Sequence, residues 1–149
     1  MIVMTHRLLY LCTGNYYRSR FAEMLFNVEA RHRQLAWIAE SRGIAVELGT
    51  HNVGPLAAHV VRDLQARGIV LDKDLRFPLQ VQEQDLVRAD LIIAIDEAEH
   101  RPMLAQRFSS WVDAVEYWHV PDLGGAAPAD ALSVLEREIA DLIRRLGSY

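Results

Sequence analysis

One short stretch of the chain carries residue types suited to covalent chemistry on an oxyanion. It reads Cys12-Thr13-Gly14-Asn15-Tyr16-Tyr17-Arg18-Ser19. A thiolate is a strong nucleophile, and a helix N-terminus or a nearby cation brings a cysteine pKa down to roughly 3.5–7.5. Arg18 follows Cys12 after five intervening residues. A planar guanidinium fork holds two oxygens of a phosphoryl group at once. Gly14 lets backbone approach a ligand, Asn15 tolerates left-handed dihedrals, and the Ser19 hydroxyl is placed to stabilise the thiolate as a leaving group. Nucleophile, anion cradle and charge clamp are the needs of phosphoryl transfer. The Cys–Arg spacing by itself is a weak signal, because a free cysteine at a strand end is commonly a small buried hydrophobe. The Gly-Asn and Arg-Ser pairs and the flanking elements strengthen it.

Those elements have to set the stretch between a strand and a helix. Leu8 to Leu11 reads as a buried strand, and a helix pattern starts at Ser19, with Phe21, Leu25, Val28 and His32 at helical spacing beside Ala22 and Phe26. A strand-loop-helix junction gathers free backbone N–H groups into an anion-binding nest, aided by the helix dipole. Ala36 to Glu40 reads as a second strand closed by Ser41-Arg42-Gly43. A turn at Gly54-Pro55 opens a second helix, with Pro55 at its first position, Leu56, Val60 and Leu64 inward, and Gly68 just past its end. Residues 70–81 read as loop. Leu91 to Ile95 is an unbroken apolar run, the pattern of a strand buried on both faces. A helix to about Phe108 and a last strand, Val115 to Val120, follow. Residues 127–146 form a closing amphipathic helix with Leu132, Leu135, Ile139, Leu142 and Leu146 on one face.

The order β-α-β-α-β-α-β-α with right-handed crossovers predicts an α/β fold of three layers, a four-stranded parallel sheet with helices on both faces. Ligands in such sheets sit beyond the carboxyl ends of the strands. Cys12 and Asp122 both fall at that edge. With 149 residues, 51% of them apolar, the chain suits a single domain, 1–149, with a real core. Its net charge of -4 gives no reason to expect a nucleic-acid partner. A single cysteine allows no internal disulfide and fits a reducing, cytoplasmic setting. No apolar run is long enough for a membrane helix, and Leu8 to Leu11 is too short for a secretion signal. His51, His59, His100 and His119 show no metal-ligand spacing, so no metal or other cofactor is expected.

Leu11-Cys12-Thr13-Gly14-Asn15 followed by Arg18-Ser19 resembles the low-molecular-weight protein tyrosine phosphatases. Ser41-Arg42-Gly43, Gly54-Pro55 to Gly68-Ile69, Asp85-Leu86 to Asp96 and Val120-Pro121-Asp122 resemble later landmarks of that family in the same order, so the likeness covers nearly the whole chain. It implies a phosphomonoester hydrolase in which Cys12 forms a cysteinyl-phosphate and Arg18 binds the phosphoryl group. Thr13, Gly14, Asn15, Tyr16, Tyr17, Arg18 and Ser19 would cradle the anion. Asp122 would protonate the leaving oxygen and then activate water. The implied partner is a phosphorylated protein or small aryl phosphate, with inorganic phosphate or another oxyanion in the loop.

The chain departs from the family pattern at several positions. Tyr17 stands where many members carry a second cysteine, Arg20 where a proline is usual, and Leu123-Gly124 where the acid loop has Pro-Tyr. Arg76 stands in for a histidine that braces the loop asparagine. Without the resemblance Asp122 reads as a turn former, and Asp113 and Asp130 are the alternative acids. Tyr16 and Tyr17 read equally as core aromatics or as pocket rim. Glu97-Glu99-His100-Arg101 reads as a solvated helix face, and Trp111, Tyr117 and Trp118 as core. An arsenate reductase using an external thiol and a non-catalytic phosphate-binding module are the competing functions.

Overall fold

The computed structural model describes residues 4–122 and 128–147. Four strands, β1 (His6–Cys12), β2 (Trp37–Gly43), β3 (Leu91–Ala94) and β4 (Glu116–Tyr117), form one parallel sheet in the order β2-β1-β3-β4. The described residues also form five α-helices: α1 (Arg18–His32), α2 (Ala58–Ala66), α3 (Glu83–Arg88), α4 (Glu97–Arg107) and α5 (Pro128–Leu146).

The central strand explains the three layers. Successive side chains of a strand point to opposite faces, and from Leu8 onward β1 is buried on both. Leu8, Tyr10 and Cys12 join Phe21, Phe26 and Leu135 in one core, under α1 and α5. Leu9 and Leu11 join Ile44, Leu86, Ile92 and Leu104 in a second core, under α3 and α4. β3 divides in the same way, Ile93 to the first core and Ile92 and Ala94 to the second. Each fully buried Leu, Ile or Phe contributes about 1.5–3 kcal/mol. The two cores therefore fix strand register firmly, and the pairings Cys12 with Gly43 and Leu11 with Ala94 bring the carboxyl ends of the strands to one edge.

Several elements differ from the sequence reading. β2 runs through Ser41-Arg42-Gly43 instead of ending before it. Gly43 marks where β2 crosses the loop after β1. A Cβ there would lie 2.6 Å from Val46 Cγ2, 2.8 Å from the Thr13 carbonyl oxygen and 3.2 Å from Asn15 Cβ. Pro55 lies in the loop ahead of α2, whose first residue is Ala58. The six residues of α3, capped reciprocally by Gln82 and Asp85, carried no sequence period long enough to read. β4 has only two residues, and beyond them Trp118 N and Val120 N still donate to Ala94 O and Ile95 O at 2.9 and 3.0 Å while His119 meets Asp96 in an isolated antiparallel bridge. The inner stripe of α1 is Phe21, Ala22, Leu25, Phe26 and Ala30, while His32 is exposed. Gln34 (φ 55°) reverses the chain there and Leu35 N closes on Ala30 O.

Overpacking a filled site typically costs ~1–3 kcal/mol. Gly43→Ala should lose stability in that range in urea denaturation. It should also weaken oxyanion binding, because the Thr13 backbone is one of the groups that must give way.

Candidate active site

The loop from Cys12 to Arg18 is tied to the scaffold through its carbonyls. Cys12 O accepts from Ile44 N (2.8 Å), Thr13 O from Ala45 N (3.0 Å), Tyr16 O from Ala57 N (3.1 Å) and Tyr17 O from Phe21 N (3.0 Å). In a trans peptide the N–H points opposite to the carbonyl, so the amides that follow turn toward the concave side of the loop. That arrangement is a nest for an anion at the start of α1.

Asn15 sets the curvature. It adopts φ 51°, the left-handed region open to asparagine, whereas Gly14 stays outside it. The Asn15 side chain is buried and uses its full hydrogen-bonding capacity. Oδ1 accepts from Arg76 Nη1 (2.9 Å) and from Leu79 N (3.1 Å), both donors only, which settles which atom is oxygen. Nδ2 donates to Ser41 Oγ and to Ser19 Oγ, each at 2.9 Å. Since Ser19 accepts there, its own proton is free to point at Cys12 Sγ, 2.9 Å away. The hydroxyl is thus oriented as a donor to sulfur. Arg76 is the brace expected from the resemblance, and it also donates to Ser41 O and pairs with Glu23 at 3.3 Å.

Arg18 is buried, with Nη1 on Val120 O (2.9 Å) and Nη2 on Glu99 Oε2 (2.8 Å). Glu99 Oε2 also accepts from Thr13 Oγ1 and lies 3.2 Å from His100 Nε2. His100 is fully buried, and its Nδ1 accepts from Asp96 N at 3.0 Å. In the neutral ring Nε2 then carries the proton and directs it toward Glu99 and Thr13. Burial would raise the Glu99 carboxyl, but hydrogen bonds from His100, Arg18 and Thr13 together hold it well below the usual carboxylate range. Burial likewise opposes charge on Arg18, yet the Glu99 hydrogen bond and the fields of Cys12, Glu99 and Asp122 leave it above its ordinary value. The run from Glu97 to Arg101 is therefore not simply a solvated face.

Arg20 lies behind the loop. Its guanidinium donates to Asn15 O (3.4 Å), Pro55 O (3.0 Å) and Arg76 O (2.9 Å), linking three loops. Burial and the charge of Arg76 push its pKa down to about 10.

A cavity of about 320 Å³ opens over Cys12. Thr13, Gly14, Tyr16, Tyr17, Arg18 and Asp122 line it as well, so most of the residues singled out in the sequence meet there. Asn15 and Ser19 sit behind the loop with buried side chains. Of the alternative acids, Asp113 pairs with Arg101 at 2.7 Å and Asp130 is exposed on α5, and neither lines the cavity. Leu123 and Gly124 lie outside the described residues. His59, weighed in the sequence only as a metal ligand, is a wall residue of the cavity. Its ring meets Tyr17 edge-on, with centroids 4.5 Å apart, and burial, followed by Arg62, lowers its pKa.

The family model described as "Low molecular weight phosphotyrosine protein phosphatase" matches residues 7–148. The chain belongs to that family. Membership makes it a cysteine-dependent phosphatase. Three solved structures illustrate the shared fold. The low molecular weight protein tyrosine phosphatase from T. tengcongensis is 24% identical, with a TM-score of 0.79 over 95% of this chain and 99% of that one. The YwlE arginine phosphatase, in a mutant with a phosphorylated active-site serine, is 23% identical, with a TM-score of 0.76 over 95% and 96%. Vibrio vulnificus Wzb in complex with benzylphosphonate is 16% identical, with a TM-score of 0.78 over 95% and 99%. A comparison with curated proteins found no match. Among the described residues no helix is long and apolar enough to cross a membrane.

The depressed Glu99 carboxyl has a consequence for stability. A carboxylate favoured by the fold contributes above its unfolded pKa and loses that contribution as pH falls toward its folded one. Glu99→Gln should therefore be less stable than the parent at neutral pH. The gap should hold steady above about pH 5 and narrow as pH falls below the ordinary glutamate value of about 4.3. Urea denaturation of both proteins across the acid range measures it.

Proposed function

We propose that the chain hydrolyses phosphotyrosine or a related aryl phosphate through a cysteinyl-phosphate. The carrying observation is the orientation of Ser19. Asn15 occupies the hydroxyl as an acceptor, leaving its proton for Cys12 Sγ at 2.9 Å, inside a loop whose Cys12, Thr13, Tyr16 and Tyr17 carbonyls are turned to the scaffold.

The chemistry proceeds in two displacements. The thiolate of Cys12 attacks phosphorus, an S–P bond forms and the bond from phosphorus to the leaving oxygen breaks. Arg18 and the amides of residues 13–18 hold the equatorial oxygens as their charge develops. Asp122 gives its proton to the departing phenolate. Water then attacks the phosphoryl group, its proton passes to Asp122, the S–P bond breaks and thiolate and phosphate are restored. Ser19 stabilises the thiolate as it departs. Arg18 arrives at this task already oriented by Glu99 and Val120. Tyr16, Tyr17 and His59 on the walls supply aromatic surface to an aryl leaving group. The relative bearing a phosphorylated active-site serine supports a covalent route, and the one holding benzylphosphonate supports an aromatic group beside the anion. The single cysteine supports a reducing, cytoplasmic setting.

Cys12→Ser should fold, as judged by circular dichroism and thermal melting, while losing phosphatase turnover, because serine keeps the volume and not the thiolate. Undiminished turnover would remove the mechanism.

A general acid contributes typically ~10²–10⁴-fold when the leaving group is poor. Asp122→Asn should accordingly slow phosphotyrosine hydrolysis by about that factor. It should slow p-nitrophenyl phosphate far less, since nitrophenolate departs without a proton. Vanadate binding should change little. Equal losses on the two substrates would make Asp122 structural.

A further inference from the structure

The segment after Arg76 is held rigidly against the catalytic loop and yet presents apolar side chains to water. Leu79 N donates to Asn15 Oδ1 at 3.1 Å, Gly43 N to Leu79 O at 2.8 Å, and Val81 N to Gly43 O at 2.8 Å. The Arg76 guanidinium caps Phe77 O at 3.0 Å, and Arg20 holds Arg76 O. Alternation along this stretch turns Arg76 and Pro78 inward and Phe77 and Leu79 outward, 64% and 44% exposed. Single exposed apolar residues are ordinary on a protein surface. Here Phe77 and Pro78 form one wall of a groove of about 280 Å³, with Val46 and Gly54 also on its lining. Val53, 82% exposed, sits beside that lining, its carbonyl held by Tyr16 Oη at 2.5 Å.

The groove adjoins the catalytic cavity, since Gly14, Gly49 and Asn52 line both. A ligand bound over Cys12 that reaches past these three residues enters it. A small aryl phosphate ends inside the cavity, whereas a protein substrate carries main chain and neighbouring side chains out along the groove. Resting on the phosphatase reading, we infer that this groove is a docking site for the phosphoprotein substrate, taking a large apolar side chain that flanks the phosphorylated residue. Phe77 is the principal contact. The loop geometry that cradles phosphate and the wall that selects the neighbouring residue are then one rigid unit, joined through Asn15 and Leu79.

The test uses the folded Cys12→Ser protein, which binds without turnover, and two fluorescent phosphotyrosine peptides that differ only in leucine or serine flanks. Anisotropy should show the leucine peptide bound about tenfold more tightly, the share expected from partial burial of one side chain. Adding Phe77→Ser should bring both peptides to the same affinity, and Phe77→Leu should restore the preference. In the Cys12-intact protein, Phe77→Ser should leave p-nitrophenyl phosphate turnover unchanged. Equal affinity for the two peptides, or a preference that survives Phe77→Ser, overturns the proposal. So does a sedimentation result in which the parent is a dimer that Phe77→Ser dissociates, since a second copy then covers the groove. A parent protein inactive on p-nitrophenyl phosphate and on both peptides would remove the phosphatase reading, and the anisotropy comparison would still decide the groove.

Discussion

The carboxamide of Asn15 is the interaction on which the site depends. Through its two donors and two acceptors it joins α1 at Ser19, β2 at Ser41, and the segment from Arg76 to Leu79. A buried amide with every hydrogen bond made is a specifying contact, since losing one partner would leave a polar group buried and unsatisfied at about 1–3 kcal/mol. The same amide decides the direction of the Ser19 proton and thereby what Cys12 meets. Backbone shape, hydroxyl orientation and thiol environment are settled together.

Charge is arranged around this joint in pairs. Arg18 faces Glu99 in front of the loop and Arg76 faces Glu23 behind it. Arg20 has three backbone carbonyls and no carboxylate among its hydrogen-bond partners in the described residues. Removing one member of a buried pair costs far more than exchanging the pair. The arginines behind and beneath the loop therefore hold its shape while adding positive field under the anion site. Arg20 stands where the family usually has proline, so a position that stiffens the chain in relatives here ties three loops by hydrogen bonding.

The sheet and the reactive loop were legible because their signals are local. Leu8 to Leu11 and Leu91 to Ile95 are buried on both faces and read as unbroken apolar runs. The long stripe of α5 kept its helical period, and Cys12 to Ser19 is a continuous segment. Arg76 was found only through the resemblance. Glu99 and His100 were missed because a charged run reads as solvent-facing. What draws Glu99 inward is a buried cation 81 residues earlier in the chain, which no local period reports. Gly43 was read as closing β2, but its need to lack a side chain comes from Thr13 and Val46 crossing beside it. The shortness of β4 coincides with a change of pairing after Tyr117, where the chain stays hydrogen-bonded to Ala94 and Ile95 but meets Asp96 at His119 in an isolated antiparallel bridge.

The Cys12, Thr13, Tyr16 and Tyr17 carbonyls of the loop are bonded to the scaffold without any contribution from a ligand. A cradle finished in advance gives up little freedom when an anion enters. On the proposed mechanism it would meet the phosphoryl group of a substrate and the inorganic phosphate left after hydrolysis through the same atoms, so that only the part of each contact that strengthens in the transition state would add to the rate. Contacts common to every phosphoryl group carry little discrimination between substrates. Product held in the cradle would compete with the next substrate, making clearance of phosphate a brake on throughput, and discrimination would fall to the walls and the groove outside the loop.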